Sequence, residues 1–375
     1  MAPDRKYTHV RRPRVTGHAL RAAALVLLTT SLALAQLQTI GEGKQPQIAT
    51  AGENVFVVFG RGNEIVFAGS SDAGKTFTAG SVVASVNGMP LGMRRGPRIA
   101  ATTDALVITG IEAPRGGGKD GDVFAWASAD GGKTWTKGTR PLNSVAAAAR
   151  EGLHNMASDG TGKVAVVWLD MRHVGQPGAG TEVWIATSED GGKTWSGDRP
   201  AYVNKGGTVC ECCHPSVTYD HAGNPVVMFR NALAGARDMF AVTSTDGGKT
   251  FSEATKLGEG TWKINACPMD GGDVVTAGER TITTWRRDRE VFISEPGSVE
   301  QKLGQGMQPV VVAAPDGNYV LWQRGTDLVI RRPDGKPTVV AERASYPSVA
   351  TTRDGSVVAT WQSGESVVAG VVTTP

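Results

Sequence analysis

The sequence predicts an all-β protein of the β-propeller class, with seven four-stranded blades favoured and six as the alternative. Three observations predict it: an eight-residue string occurs four times, a longer strand–turn–strand pattern occurs seven times, and glycine is abundant. Glycine accounts for 49 of 375 residues, against an average share of about 7%. Because glycine weakens helix interiors, this composition argues against a helix bundle or a coiled coil.

The chain begins with the features of an export signal. A basic region extends from Arg11 to Arg21, and the 14-residue apolar run AAALVLLTTSLALA follows it and ends in Ala33-Leu34-Ala35. Together these features are typical of a cleaved secretory signal. The run is too short to span a bilayer comfortably, and an uncleaved anchor is the alternative. We expect a signal peptide over residues 1–35 and one secreted or periplasmic domain over residues 36–375, without membrane contact after cleavage.

The charge of the predicted mature chain argues against nucleic-acid binding. The formal net charge is +3, but residues 1–35 contribute +5, which leaves −2 on the remainder. A slightly acidic chain has no general attraction to phosphate backbones. We therefore exclude nucleic acid as a partner.

The eight-residue string has the form Ser-x-Asp-x-Gly-x-Thr followed by Phe or Trp, and its starts are 58, 60 and 56 residues apart. Short Ser and Asp side chains accept hydrogen bonds from nearby N–H groups and so build turns. Glycine adopts backbone angles that other residues resist, and the ring can be buried. We assign the strings a structural role as hairpin turns. Their residues are Ser70, Asp72, Gly74, Thr76, Phe77, Ser128, Asp130, Gly132, Thr134, Trp135, Ser188, Asp190, Gly192, Thr194, Trp195, Ser244, Asp246, Gly248, Thr250 and Phe251.

The longer pattern is a short apolar run, a polar turn and a second β-rich run, as in PQIATAGENVFVVFG from Pro46. Seven copies are spaced by 38 to 60 residues, and each copy predicts two strands joined by a turn. The segments between copies leave room for two more strands, and four strands per repeat is typical of a β-propeller blade. The last copy has room for only three strands. We expect residues 37–40 to supply its fourth strand and so to close the ring.

The four strings resemble the Asp boxes, also called BNR repeats, of sialidases and related propellers. The resemblance covers the mature chain and implies a glycan or another small polar ligand, with exo-α-sialidase-type hydrolysis if the protein is catalytic. Sialidases hold the substrate carboxylate with three arginines and use an Asp acid/base and a Tyr activated by a Glu. Here Arg98-Ile99-Ala100 only echoes the family's Arg-Ile-Pro motif, and sialidases have six blades. The candidate channel residues are Arg98, Asp170, Arg172, Arg230, Arg237, Asp238, Arg287 and Tyr346.

The four cysteines are Cys210, Cys212, Cys213 and Cys267, and they precede two inner strands that we expect in neighbouring blades. The stretch resembles a group of secreted, sialidase-like bacterial proteins. The matching elements are Cys-x-Cys-Cys, Arg230-Asn231, Arg237-Asp238, and Trp262-x-Ile264-x-x-Cys267-Pro268. An even cysteine count in an oxidising compartment predicts two disulfides, with the pairing open. The alternatives are thiol redox chemistry and a copper or zinc site that includes His214 or Met269.

Three functional hypotheses follow. The protein is a glycoside hydrolase, a non-catalytic propeller that binds carbohydrate or protein, or a metal-binding or redox propeller centred on the cysteines. We expect a monomer and no cofactor other than a metal ion at the cysteines.

Overall fold

Short runs of β-branched residues separated by turn residues form 29 strands between Gln38 and Thr373. The structure is a computed structural model that describes residue 1 and residues 37–295, 298–333 and 335–374. The signal peptide expected over residues 1–35 lies outside them apart from Met1. The described residues from Leu37 to Thr374 form one compact unit. Among the described residues, no helix has the length and hydropathy needed to cross a membrane.

The strands form seven antiparallel sheets of four strands, and the fourth sheet carries one additional short strand. From the innermost strand outward, the first three blades are β2 (Lys44–Ala51), β3 (Asn54–Arg61), β4 (Glu64–Ser70) and β5 (Ser81–Ser85); β6 (Arg98–Ala101), β7 (Leu106–Glu112), β8 (Asp122–Ser128) and β9 (Thr136–Lys137); and β10 (His154–Ser158), β11 (Val164–Asp170), β12 (Glu182–Ser188) and β13 (Arg199–Tyr202).

The fourth and fifth blades are β15 (Ser216–Tyr219), β16 (Pro225–Ala232), β17 (Met239–Thr243) and β18 (Thr255–Lys256), with β14 (Thr208–Val209) paired to β16; and β19 (Asp273–Ala277), β20 (Arg280–Arg287), β21 (Glu290–Ser294) and β22 (Gln301–Gln305). The last two are β23 (Met307–Ala314), β24 (Gly317–Arg324), β25 (Asp327–Arg331) and β26 (Thr338–Ala341); and β27 (Ala344–Thr351), β28 (Val357–Ser363), β29 (Ser366–Thr373) and β1 (Gln38–Glu42).

The two ends of the chain meet in the seventh blade. β1 pairs antiparallel with β29, with Gln38 opposite Ala369 and Thr39 opposite Val368. The seven-blade prediction is confirmed, and so is closure of the ring by the segment before the first repeat. The weak fifth copy of the long pattern forms β19 and β20 of a separate blade.

The core lies between the blades. One buried cluster joins Ile65 and Phe67 of the first blade to Ile108 and Trp126 of the second. Another joins Val107 of the second blade to Trp168 of the third. Each sheet therefore buries its apolar faces against its neighbours, as stacked repeats must when one repeat is too small to form a core.

The antiparallel order gives the propeller two different faces. The loops that precede the inner strands share one face with the loops between second and third strands, and we call this the mouth face. The loops between first and second strands share the other face with those between third and fourth strands. The four Asp boxes follow β4, β8, β12 and β17, so they lie on this second face, which we call the box face.

Each Asp box is a turn closed by its own side chains. In the second box, Ser128 Oγ lies 2.8 Å from Asp130 Oδ1 and accepts the Gly132 N–H at 2.9 Å. Asp130 accepts the Thr134 N–H at 2.9 Å and the Thr134 hydroxyl at 2.6 Å. The Thr134 hydrogen bond lowers the pKa of Asp130 well below its ordinary value. The same contacts recur in the other three boxes.

Candidate functional site at the mouth of the channel

The mouth face is built unevenly around the ring. Long segments precede the inner strands of the second to fifth blades, over residues 86–97, 138–153, 203–215 and 257–272. Only one to two residues precede the inner strands of the sixth, seventh and first blades. The long loops therefore surround one side of the mouth, and the strand ends of three blades form the other side.

Three bulged strands turn side chains toward the mouth. β2, β23 and β27 each shift register near their first residues. At these bulges Gln45, Gln308 and Tyr346 have φ of 58°, 56° and 53°, a region that costs energy for a residue with a Cβ. Each of the three precedes a proline. Because bulges re-aim side chains, this recurring x-Pro is the sequence feature that could have identified Gln45 and Gln308, which sequence reasoning missed, whereas Tyr346 was already a predicted channel residue.

Arg94 reaches across the channel. It belongs to the loop before β6 and has φ of 64°. Its Nε donates to Gln308 Oε1 at 2.7 Å and its Nη2 to Gln308 O at 2.9 Å, while Nη1 donates to Pro347 O at 2.9 Å. The second blade is thereby tied to the sixth and seventh blades through a buried guanidinium. Sequence reasoning also missed Arg94, because nothing in residues 86–97 marks which arginine turns inward.

Arg98 and Arg230, two of the candidate ligand-binding arginines, also bond to backbone carbonyls. Arg98 Nε donates to His154 O at 3.0 Å, and its Nη2 donates to Arg94 O. Burial lowers the pKa of Arg98 to about 9. Arg230 donates to Asp270 O at 2.9 Å, Arg237 O at 2.6 Å and Arg286 O at 2.9 Å. These arginines therefore tie neighbouring blades together at the mouth.

Two carboxylates, the buried Asp270 and the half-buried Asp273, accompany the arginines, and sequence reasoning missed both. Asp270 Oδ2 accepts the Gln308 N–H at 2.7 Å. Asp273 Oδ2 accepts the Val311 N–H at 3.0 Å, and its Oδ1 accepts the Val274 N–H at 3.0 Å. Burial raises the pKa of Asp273 to about 6, although Arg94 opposes the shift. The charge of the mouth therefore depends on pH in the mildly acidic range.

A cavity of about 380 Å3 occupies the channel behind these residues. Its polar lining includes Gln47, Asn155, Asp273 and Ser348, and valines and alanines of the inner strands supply most of the rest. His154 beside it is fully buried, and its Nε2 has no hydrogen-bond partner among the described residues. Burial lowers the pKa of His154 to about 3, so the ring is neutral.

The other candidate residues lie further from the channel axis. Arg172 forms a bidentate pair with Asp170 at 2.8 Å, and its guanidinium lies 3.3 Å from the centre of the Trp184 ring. Asp238 accepts the Trp262 N–H at 2.7 Å. The first pair lies at the end of β11 and in the loop that follows it, and the second joins the fourth blade to the long loop before β19. In the fifth blade Arg287 pairs with Glu300.

Arg237 and Tyr346 are half-buried on the mouth face. The Tyr346 hydroxyl makes no hydrogen bond within residues 37–295, 298–333 and 335–374, and so no glutamate among them contacts it as in a sialidase Tyr–Glu pair. The structure therefore brings Arg98, Arg230 and Tyr346 to the mouth without converging guanidinium groups on one carboxylate site.

The cysteines divide into a group of three and one separate thiol. Cys210, Cys212 and Cys213 are buried together, whereas Cys267 is exposed. The described residues contain no disulfide. The three buried sulfurs are 3.5 to 4.0 Å apart, well beyond the roughly 2.05 Å of a disulfide bond. Burial raises the pKa of Cys213 to about 12. His214 directs Nε2 to Gly272 O at 3.0 Å rather than to the sulfurs.

The repeated boxes and the seven-bladed ring agree with a comparison against protein families, in which the model described as "BNR repeat-like domain" matches residues 97–359. The chain belongs to the BNR repeat-like domain family. This BNR repeat-like protein has no match among the curated proteins compared with it.

Solved structures similar to this BNR repeat-like protein have low sequence identity to it. The Trypanosoma rangeli sialidase in complex with the inhibitor DANA is 14% identical, with a TM-score of 0.50, over 90% of this chain and 60% of its own. The Penicillium chrysogenum α-L-arabinanase complexed with arabinobiose is 16% identical, with a TM-score of 0.48, over 90% of this chain and 98% of its own. The chain thus spans about 60% of the length of that sialidase, and the similarity to it shows a shared fold.

Proposed function

We propose that the protein binds a glycan at the mouth face, outside the cytoplasm, and does not hydrolyse it in the manner of a sialidase. The observation that carries the proposal is the set of polar side chains that strained backbone holds at the mouth. The half-buried Tyr346 hydroxyl and the buried Gln45 Oε1 have no hydrogen-bond partner among the described residues. Because an unpaired buried polar group is costly, such groups in strained positions mark functional sites.

The chemistry of these groups favours a polyhydroxylated ligand. A phenol and an amide both accept and donate hydrogen bonds without a formal charge, which suits sugar hydroxyl groups. The mouth also carries the buried guanidinium groups of Arg94, Arg98 and Arg230, and the nearby Asp270 and Asp273 favour the charged form of Arg94. An acidic sugar is therefore compatible with the site as well as a neutral one.

The arginines argue against sialidase-type hydrolysis. Bidentate binding of a carboxylate needs two parallel N–H groups on one guanidinium edge. In Arg94 the Nε/Nη2 edge already binds Gln308, and in Arg98 and Arg230 every guanidinium nitrogen donates to a backbone oxygen. Tyr346 also lacks the glutamate that would make it a nucleophile.

The test is a glycan array followed by calorimetry, with protein recovered from the periplasm or medium of an expressing bacterium. Tyr346→Phe removes one hydroxyl at the mouth, and Tyr319→Phe removes the hydroxyl that bonds Asp316 Oδ2 at 2.6 Å near the box face. We expect Tyr346→Phe to weaken binding about 5- to 10-fold, as for one hydrogen bond, and Tyr319→Phe to leave affinity unchanged. Absence of glycan binding, equal effects of the two variants, or turnover of a fluorogenic sialoside would contradict the proposal.

A further inference from the structure

Three sulfur atoms form a nearly regular triangle between the fourth and fifth blades. Cys210 Sγ lies 3.6 Å from Cys212 Sγ and 3.5 Å from Cys213 Sγ, and the remaining side is 4.0 Å. The point in their plane equidistant from the three sulfurs is about 2.1 Å from each, close to the Zn–S distance of about 2.3 Å. An ion at or just above this plane would reach all three sulfurs without moving the backbone.

A backbone N–H group of the fifth-blade loop contacts the triangle. The Asp270 N–H donates to Cys213 Sγ at 3.4 Å. Hydrogen bonds from the surrounding protein to ligand atoms orient them and tune a bound metal ion.

The loop before β19, which contains Asp270, has a constrained backbone conformation beside the cysteines. Met269 has φ of 58°, a strained value for a residue with a side chain, and it packs against the three cysteines. A Cβ at Gly271 would overlap the His214 backbone, so only glycine permits this close approach of the fifth-blade loop to the cysteine segment. The Met269 side chain is thereby kept against the three cysteines.

We propose that Cys210, Cys212 and Cys213 bind one thiophilic d10 cation, Cu(I) or Zn(II), as thiolates. Soft sulfur donors select these ions among the common biological metals. Binding fixes the cysteine segment before β15, against which Met269 of the loop before β19 packs, and each thiol that coordinates releases its proton. Cys267 is exposed and outside the triangle, so it is not a ligand and serves as the matched control. The site is independent of the glycan proposal, since neither Tyr346 nor Gln45 belongs to it.

The experiment loads the full protein, reduced and desalted under nitrogen, with Cu(I) or Zn(II) in the presence of a competing chromophoric chelator. We expect one tightly bound ion per wild-type chain and a rise in the unfolding temperature with metal. Cys267→Ser should retain both. Cys212→Ser alters the least buried of the three cysteines and should lower affinity more than about 100-fold, since outer contacts alone are worth about 10- to 100-fold.

The wild-type measurement decides the matter even if Cys212→Ser folds poorly. Failure of reduced wild-type protein to bind either ion more tightly than the chelator would overturn the proposal. So would equal affinity in wild type and Cys212→Ser, or loss of binding in Cys267→Ser. Mass spectrometry of the unreduced protein tests for a disulfide within the triangle. If that disulfide persists on metal loading, and the reduced protein takes up no metal, these cysteines form a disulfide and not a metal site.

Discussion

The glycine of the second Asp box gives a sharp test of how the blades are joined. Gly132 has φ of 89°, and a Cβ there would lie 2.6 Å from Cε1 and Cζ of Phe67 in the preceding blade. Phe67 is itself buried and packs edge-on against Trp135, with ring centroids 5.4 Å apart. Its neighbour Gly131 also has a positive φ, 74°, but a Cβ there would meet nothing within 4 Å. The two glycines thus share the backbone requirement and differ in packing.

This difference sets the expected free energies of unfolding. Gly131→Ala should cost about 1 kcal/mol, because a Cβ is disfavoured in the left-handed region. Gly132→Ala carries the same cost and also forces the Phe67 ring to move in a packed interface, which adds about 1–3 kcal/mol. We therefore expect Gly132→Ala to be destabilised by about 2–4 kcal/mol, two to four times as much as Gly131→Ala.

Equilibrium urea unfolding of both variants, followed by tryptophan fluorescence, measures these values. A third variant, Phe67→Leu, removes the two ring atoms that the new Cβ would meet. In the Phe67→Leu background, Gly132→Ala should cost only the turn penalty of about 1 kcal/mol, so a double-mutant cycle should give a coupling energy of about 1–3 kcal/mol. Equal costs for the two glycines, or additive effects of Gly132→Ala and Phe67→Leu, would show that the box glycine serves its own turn and does not join blades.

Two further predictions concern the mouth. Desolvation raises the pKa of Asp273 to about 6 in the folded protein, so the folded state binds more protons than the unfolded state above pH 4. The contribution of Asp273 to stability should therefore grow by about 1 kcal/mol from pH 7.5 to pH 5. Urea unfolding of Asp273→Asn should lack this increment, whereas parallel pH curves for the two proteins would contradict the shift. Arg94→Met should lower the free energy of unfolding by about 2–4 kcal/mol in the same assay, because it leaves the oxygens of Gln308 and Pro347 unpaired. Arg115 forms an exposed ion pair with Asp120, so Arg115→Met should lower it by less than about 1 kcal/mol. Similar losses in the two variants would refute the role of Arg94 in joining blades.

The architecture was predictable because its determinants are local and repeated. Four copies of one turn and seven copies of one strand pair specify blades of known size, and the short final copy required a strand from the other end of the chain, which β1 supplies. The turn chemistry was predictable for the same reason, since Ser128, Asp130 and Thr134 bond to one another within one turn. Such contacts depend on sequence spacing and hardly at all on the rest of the molecule.

The mouth was less predictable because its contacts are long-range. Arg94 binds residues more than 200 positions away, and no local pattern distinguishes it from the partly exposed Arg95 beside it. Asp270 and Asp273 lie at the start of the degenerate fifth repeat copy, which begins at Pro268 and does not mark either carboxylate as a mouth residue. The cysteine cluster falls between these cases. Its placement between two blades was predictable, but its division into three buried thiols and one exposed thiol depends on how the loop before β19 folds back.

The arginines of the mouth also show why a sialidase-like composition does not imply sialidase chemistry. A guanidinium grips a substrate carboxylate only if its donor edge faces the ligand. In this chain Arg94 joins the second blade to the sixth and seventh, Arg98 joins the second to the third, and Arg230 joins the fourth to the fifth. These hydrogen bonds between blades lie on the mouth face, opposite the Asp boxes. Without them, the blades at the long loops would be held together only by side-chain packing. For the proposed glycan binding, we therefore expect selectivity to come from groups that have no hydrogen-bond partner among the described residues, the Gln45 Oε1 and the Tyr346 hydroxyl first among them.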